Sequence, residues 1–157
     1  MTDTPALQVL AATDLEYRVV RTTPARSAEE SAQMQAIPLG ALLRTLVVRR
    51  GEGDYLFVLV PGGRKFDWPK LRDLLGVRRM TMPDADEALE VTGYERGAIT
   101  PFGTRTAFPV IIDSAAFEQP VIAIGGGAHG VNVHLSPTAL AEHFDAQVAE
   151  ISVLEGP

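Results

Sequence analysis

No cysteine occurs in the 157 residues, and that absence removes disulfides, thiolate metal sites and cysteine nucleophiles together. Any catalysis must therefore use oxygen, nitrogen or backbone groups. Histidine is scarce. His129, His134 and His143 are the three, and their spacing gives no HExxH or comparable helical pair, so no metal is expected. There is no G-x-S-x-G elbow, and Ser27, Ser31, Ser114, Ser136 and Ser152 mostly stand where caps and turns would put them, so a serine triad lacks support. No apolar run approaches the roughly 20 residues of a membrane span, and residues 1–3 show no basic-then-apolar leader, so a cytoplasmic protein without a membrane partner is expected.

What is present is a balance of 46% hydrophobic and 22% charged residues, which fits one globular domain over residues 1–157 with a substantial core. The net charge of −6 is unevenly spread. Residues 44–79 hold nine basic and four acidic side chains, a local charge of +5, which leaves −11 on the remainder. A basic face on an acidic protein suits transient contact with a polyanion such as an RNA end. A merely solvated charged face is the alternative.

The pattern along the chain predicts short helices and short strands in alternation. Thr4-Pro5 opens a helix to about Ala12, and residues 15–22 read as a strand. Ser27 with Glu30 forms a capping-box pattern for a second helix closed by Ile37-Pro38-Leu39-Gly40. Residues 43–50 and 55–61 flank a turn-rich tetrapeptide and should form a hairpin. Asp67 caps a helix with Leu71, Leu74 and Leu75 on one face, ended by Gly76. A strand is expected at 78–82, and Asp84 with Glu87 starts a helix to about Val91. Strands follow at 108–113, 121–125 and 131–135. Ser136-Pro137 opens the last helix, and residues 146–153 return as a closing strand. No long crossover helices appear, so the expected class is α+β: a mixed, strongly curved, barrel-like sheet with short helices packed outside.

Two glycine-rich stretches are candidates for chemistry. Residues 92–103 carry three glycines and a proline, and such a loop either reverses the chain or brings backbone N–H groups toward a developing oxyanion. Residues 125–130, Gly-Gly-Gly-Ala-His-Gly, lead into an alternating strand, whereas a phosphate-cradling loop opens a helix. A tight turn lining a pocket fits better. His129 there is either a ligand contact or a surface residue, His134 is expected on the exposed side of its strand, and His143 on a solvated helix face. Asp113, at the end of an apolar strand, either caps the next turn or reaches into a site.

Thr92-Gly93-Tyr94, the segment 97–103, Phe108-Pro109-Val110-Ile111-Ile112-Asp113 and the turn 125–130 together resemble, in order and spacing, the signatures of the YbaK and prolyl-tRNA synthetase editing-domain family, from about Thr4 to Ile151. The resemblance implies a pocket for the 3′-terminal aminoacyl-adenosine of a tRNA and hydrolysis of a wrongly attached small amino acid, with no cofactor. Cysteine, alanine and serine esters all stay open, as do a partnership with an aminoacyl-tRNA synthetase and the oligomeric state. It further implies that Gly97 and its neighbours Ala98, Ile99, Thr100 and Pro101 supply backbone donors and that Thr45, Asp113, Gly126, Gly127 and His129 shape the substrate pocket. Arg49, Arg50, Arg78 and Arg79 would face the tRNA.

Arg44 stands where the family usually has a functionally important lysine. Strand alternation puts Arg44 in line with Leu46 and Val48, opposite Leu43, Thr45 and Val47, and Arg44 is expected to face the pocket. A guanidinium keeps the charge but not the titratable ammonium. Two readings follow: a deacylase acting in trans, or a non-catalytic module that binds an aminoacyl-tRNA end or a nucleotide. A stress or regulatory protein reusing the fold is a third.

Overall fold

The computed structural model describes residues 4–155. Residues 1–3, where no leader pattern is seen, and residues 156–157 lie outside them. The helices begin where their caps predict. Thr4 accepts a hydrogen bond from Leu7 N and Pro5 occupies the first position of α1 (Pro5–Ala11), which buries Ala6, Leu7 and Leu10. Ser27 caps α2 (Ala28–Gln35), which ends on Ala36 in the left-handed region, just ahead of the turn expected to close it. Asp67 and Gly76 bound α3 (Trp68–Leu75), Asp84 and Gly93 bound α4 (Ala85–Thr92), and Ser136 starts α5 (Pro137–Phe144).

The capping boxes are only half formed. Glu30 reaches Arg26 N, and Glu87 is drawn off α4 to Tyr55 Oη and Arg49. At Glu87 tertiary partners outcompete the reciprocal bond, whereas at Glu30 a neighbouring residue, Arg26, takes it.

The strands form three sheets. The central one places β2 (Leu43–Gly51), β3 (Asp54–Pro61), β5 (Val110–Asp113) and β8 (Gln147–Ala149) side by side, with β2–β3 antiparallel and the other pairs parallel. Its hairpin register runs from Leu43↔Pro61 to Gly51↔Asp54. A second sheet orders β1 (Arg18–Arg21), β7 (Val131–Leu135) and β6 (Ile122–Gly125), and a third pairs β4 (Arg64–Phe66) with β9 (Ser152–Leu154). The architecture is mixed α+β, as expected. A closed barrel does not form among the described residues: the first two sheets meet through a single parallel bridge, Leu42↔Ala123.

Both faces of the central sheet are covered, which explains the unbroken apolar run of β3. Leu43 and Val47 join Phe57, Leu59 and Ile112 on one face, while Val48 joins Leu56, Val58, Leu71 and Ile151 on the other. The expected alternation along β2 therefore holds.

Two expected strands are corrected. Residues 78–82 make only one bridge, Thr81↔Arg49, and Pro83, which has no N–H to give a ladder, stands two residues beyond it. Residues 146–153 split into β8 and β9. The break falls at Ile151, whose N–H goes to Asp113 Oδ2 at 3.2 Å and whose carbonyl accepts from Asp67 N at 2.9 Å. Strand β4, only three residues long, escaped the sequence pattern.

Candidate functional site

A cleft of about 1100 Å³ opens where the start of β2, the segment leading into α2, the loop around Gly97 and the turn before β7 converge. Arg44 and Thr45 are both on its wall, together with Gly97, Ile99 and His129. Arg44 is exposed and donates from Nη2 to the carbonyl of Arg64 at 2.9 Å. Thr45 faces the same way as Leu43 and Val47, and its buried Oγ1 has no hydrogen-bond partner among the described residues.

The two glycine-rich stretches meet. Gly97 has φ +91°, and a Cβ there would stand 3.1 Å from His129 Cε1. Gly125 comes so close to the same loop that its Cβ would be 3.2 Å from the carbonyl oxygen of Ile99. Close backbone approach, rather than chain reversal alone, is what these two glycines permit.

Tyr94 ties the loop down from below, donating through its hydroxyl to the carbonyl of Phe102 at 2.6 Å. Burial pushes that phenol up to about 12, so it remains a donor at ordinary pH. Thr4 Oγ1 donates to Gly126 O at 2.5 Å, which fastens the start of α1 to the second stretch.

Backbone donors differ within the loop. Ala98 N–H is committed to Glu95 O at 2.9 Å, whereas Gly97 and Ile99 N–H bond to no other group among the described residues. Arg96, also on the cleft wall, likewise has an N–H with no partner among the described residues, so three uncommitted N–H groups belong to wall residues of this loop.

Other predicted residues stand apart from the cleft wall. Ala98, Thr100 and Pro101 are buried beneath it. Gly126 and Gly127 pack against Val131, Tyr94 and Thr4 and hold the turn's shape. Asp113 is wholly buried and caps: its two oxygens accept from Ala115 N at 2.8 Å and Ile151 N at 3.2 Å. The even choice at that residue falls to capping.

His134 is corrected from exposed to buried. It lies under α2 with Nε2 2.8 Å from Gln35 Oε1, and burial, then Arg18, lowers its pKa. His143 is exposed, with its ring 5.3 Å from that of Phe102. His129 Nε2 lies 3.5 Å from Glu95 Oε2, a pairing that nothing in the local pattern signals.

Among the four arginines of the basic stretch, Arg49 is held at 3.8 Å from Glu87 and Arg50 at 2.9 Å from Asp54, while Arg78 and Arg79 are exposed with no acidic partner among the described residues. Among those residues there is also no cluster of three potential metal ligands and no helix long and apolar enough to cross a membrane.

A model of the aminoacyl-tRNA editing domain matches residues 22–143, which include nearly the whole cleft wall. The chain belongs to the aminoacyl-tRNA editing-domain family. Among family relatives, a candidate Cys-tRNA(Pro)/Cys-tRNA(Cys) deacylase, EbsC of Enterococcus faecalis, is 28% identical over 89% of this chain and 85% of its own. Proline–tRNA ligase of Trichlorobacter lovleyi is 27% identical over 86% of this chain but only 23% of the ligase, so the editing domain spans about a quarter of that enzyme. A solved structure of a candidate trans-editing enzyme for prolyl-tRNA synthetase superposes with a TM-score of 0.84 at 26% identity, covering 99% of this chain and 100% of the other.

Proposed function

We propose that this editing domain is a hydrolase acting in trans, removing a wrongly attached small amino acid from the 3′ end of a tRNA. The observation that carries this is the cleft itself: its lining includes Arg96, Gly97 and Ile99, whose N–H groups are uncommitted, together with Thr45 on one face of β2 and Arg44 on the other. An aminoacyl ester needs little more. Water adds to the ester carbonyl, and the oxyanion meets the backbone donors. The carbon–oxygen bond to the ribose then breaks with proton transfer to that ribose oxygen, assisted by the neighbouring ribose hydroxyl. Free amino acid and uncharged tRNA result.

In this reading Arg44 is a fixed cation that positions the substrate's end. A guanidinium cannot serve as a base, so its part is to hold the substrate. Thr45 Oγ1, buried without a partner among the described residues, turns toward the cleft to hydrogen-bond the substrate, and His129, paired with Glu95, borders the pocket above Gly97. Arg78 and Arg79 meet the tRNA backbone. Cys- and Ala-tRNA(Pro) are the candidate substrates, the first by likeness to EbsC.

The tether of Arg44 to the Arg64 carbonyl favours one second reading, a binding module without turnover. Deacylation assays across tRNAs charged with cysteine, alanine, serine and proline, read beside tRNA binding, separate the two. Turnover of at least one non-proline ester establishes the hydrolase. Binding with no turnover establishes the module.

A further inference from the structure

Beneath α2 a chain of hydrogen bonds runs in one direction. His134, on β7 and 9% exposed, meets Gln35 Oε1 through Nε2 at 2.8 Å. Gln35, 6% exposed, donates from Nε2 to Ser31 Oγ at 2.9 Å. With the Gln35 amide set with Oε1 toward His134 and Nε2 toward Ser31, His134 carries a proton on Nε2, because an amide oxygen only accepts, and Ser31 is the acceptor, because an amide nitrogen only donates. The serine's own proton is left outside the chain. Ser31 Oγ donates to no atom among the described residues, not even to the Ser27 carbonyl that receives Ser31 N–H at 3.1 Å and could accept a second bond. Ser31 is on the wall of the cleft.

The setting makes this chain conspicuous. Around it α2 meets the sheet through Ala32, Leu42 and Ala123, where apolar side chains would fill the space without any polar group to satisfy. What glutamine and histidine add is direction.

We propose that the Ser31 hydroxyl is a substrate-binding donor to an acceptor oxygen of the aminoacyl-adenosine end, and that Gln35 and His134 are positioning residues holding its proton toward the cleft. This rests on the aminoacyl-ester reading of the cleft. Ser31 thereby adds a side-chain donor on the wall formed by α2, supplied by a different element from the backbone donors of the Gly97 loop.

Glutamate at position 35 reverses the chain. A carboxylate still accepts from His134, but it cannot donate to Ser31, whose proton then turns inward. The test measures the Kd of tRNA carrying alanine, serine or cysteine through a non-hydrolysable 3′-amide, and kcat/KM on the matching esters. Ser31→Ala should weaken the best-bound amide and lower kcat/KM roughly tenfold, the scale of one hydrogen bond. Ser31→Thr should retain both. Gln35→Glu should match Ser31→Ala, and the double variant should lose nothing further, with thermal melts showing that each variant is folded. An unaltered Ser31→Ala, or a Gln35→Glu loss that persists in full on the Ser31→Ala background, overturns the proposal. Wild-type protein that binds the amide but leaves esters intact defeats the hydrolase reading alone, since Ser31 is still judged by Kd. Failure to bind all three amides defeats both.

Discussion

Gly97 lies directly beneath the imidazole of His129, so close that a methyl group on Gly97 would stand 3.1 Å from Cε1. Its φ of +91° adds backbone strain of about 1–3 kcal/mol to any other residue placed there. Gly97→Ala should therefore lower the melting temperature by a few degrees, displace His129 and turn the free N–H away from the reacting carbonyl. Deacylation should fall at least roughly tenfold at temperatures where the variant remains folded. Normal turnover would reduce the loop to a chain reversal.

Thr45 offers a change whose effects on stability and activity have opposite signs. Its Oγ1 is buried without a partner, and such a group costs about 1–3 kcal/mol. Thr45→Val keeps the shape and removes the cost, so the melting temperature should rise while kcat/KM falls. A variant that is stabilised and fully active would strip Thr45 of any part in substrate binding.

The free arginines should dominate the salt response. Arg78 and Arg79 have no acidic partner among the described residues, whereas Arg49 and Arg50 are each beside a carboxylate. Reversing Arg78 and Arg79 to glutamate should weaken tRNA binding more than reversing Arg49 and Arg50. It should also flatten the dependence of log K on log salt by about 0.7–0.9 for each phosphate no longer neutralised. Equal effects from the two pairs would show that the ion pairs open on binding.

Caps, turns and strand alternation were legible in the sequence because they are set within a few residues. Asp67 and Gly76 bound α3, and Leu43 and Val47 separate from Val48 across β2. What failed was long range. His134 looked exposed because its partner, Gln35, is 99 positions away. The last strand broke because Asp113 and Asp67 claim the backbone of Ile151. The site was half legible for the same reason: both glycine stretches stood out, but their contact at Gly97 and His129, and the α2 wall with Ser31, exist only once the chain has folded.

Burial of His134 gives stability a pH dependence. Its pKa is lowered below 6.5 by burial first and by Arg18 second. The unfolded chain therefore takes up the proton sooner as pH falls, and stability is lost between 6.5 and the lower folded value. One proton contributes at most about 1.4 kcal/mol per pH unit over that window. Urea titrations at pH 7.5 and 5.5 should show a larger loss for wild type than for His134→Gln. Parallel losses would place the sensitivity elsewhere.

Arg44 gives the most direct test of catalysis. It is exposed, on the cleft wall, and tethered through Nη2 to the Arg64 carbonyl. That tether fixes one edge of the guanidinium and leaves the other to the substrate. Removing an exposed side chain should alter stability by no more than about 0.5 kcal/mol, so an effect on turnover cannot be a folding effect. Arg44→Ala, with no cation, should abolish deacylation. Arg44→Lys supplies a compact ammonium in place of the guanidinium and should keep or increase it. Single-turnover rates measured beside tRNA affinity distinguish the outcomes. Three equally active proteins would remove Arg44 from the mechanism, whereas three inactive proteins with intact tRNA binding would make this chain a binding module.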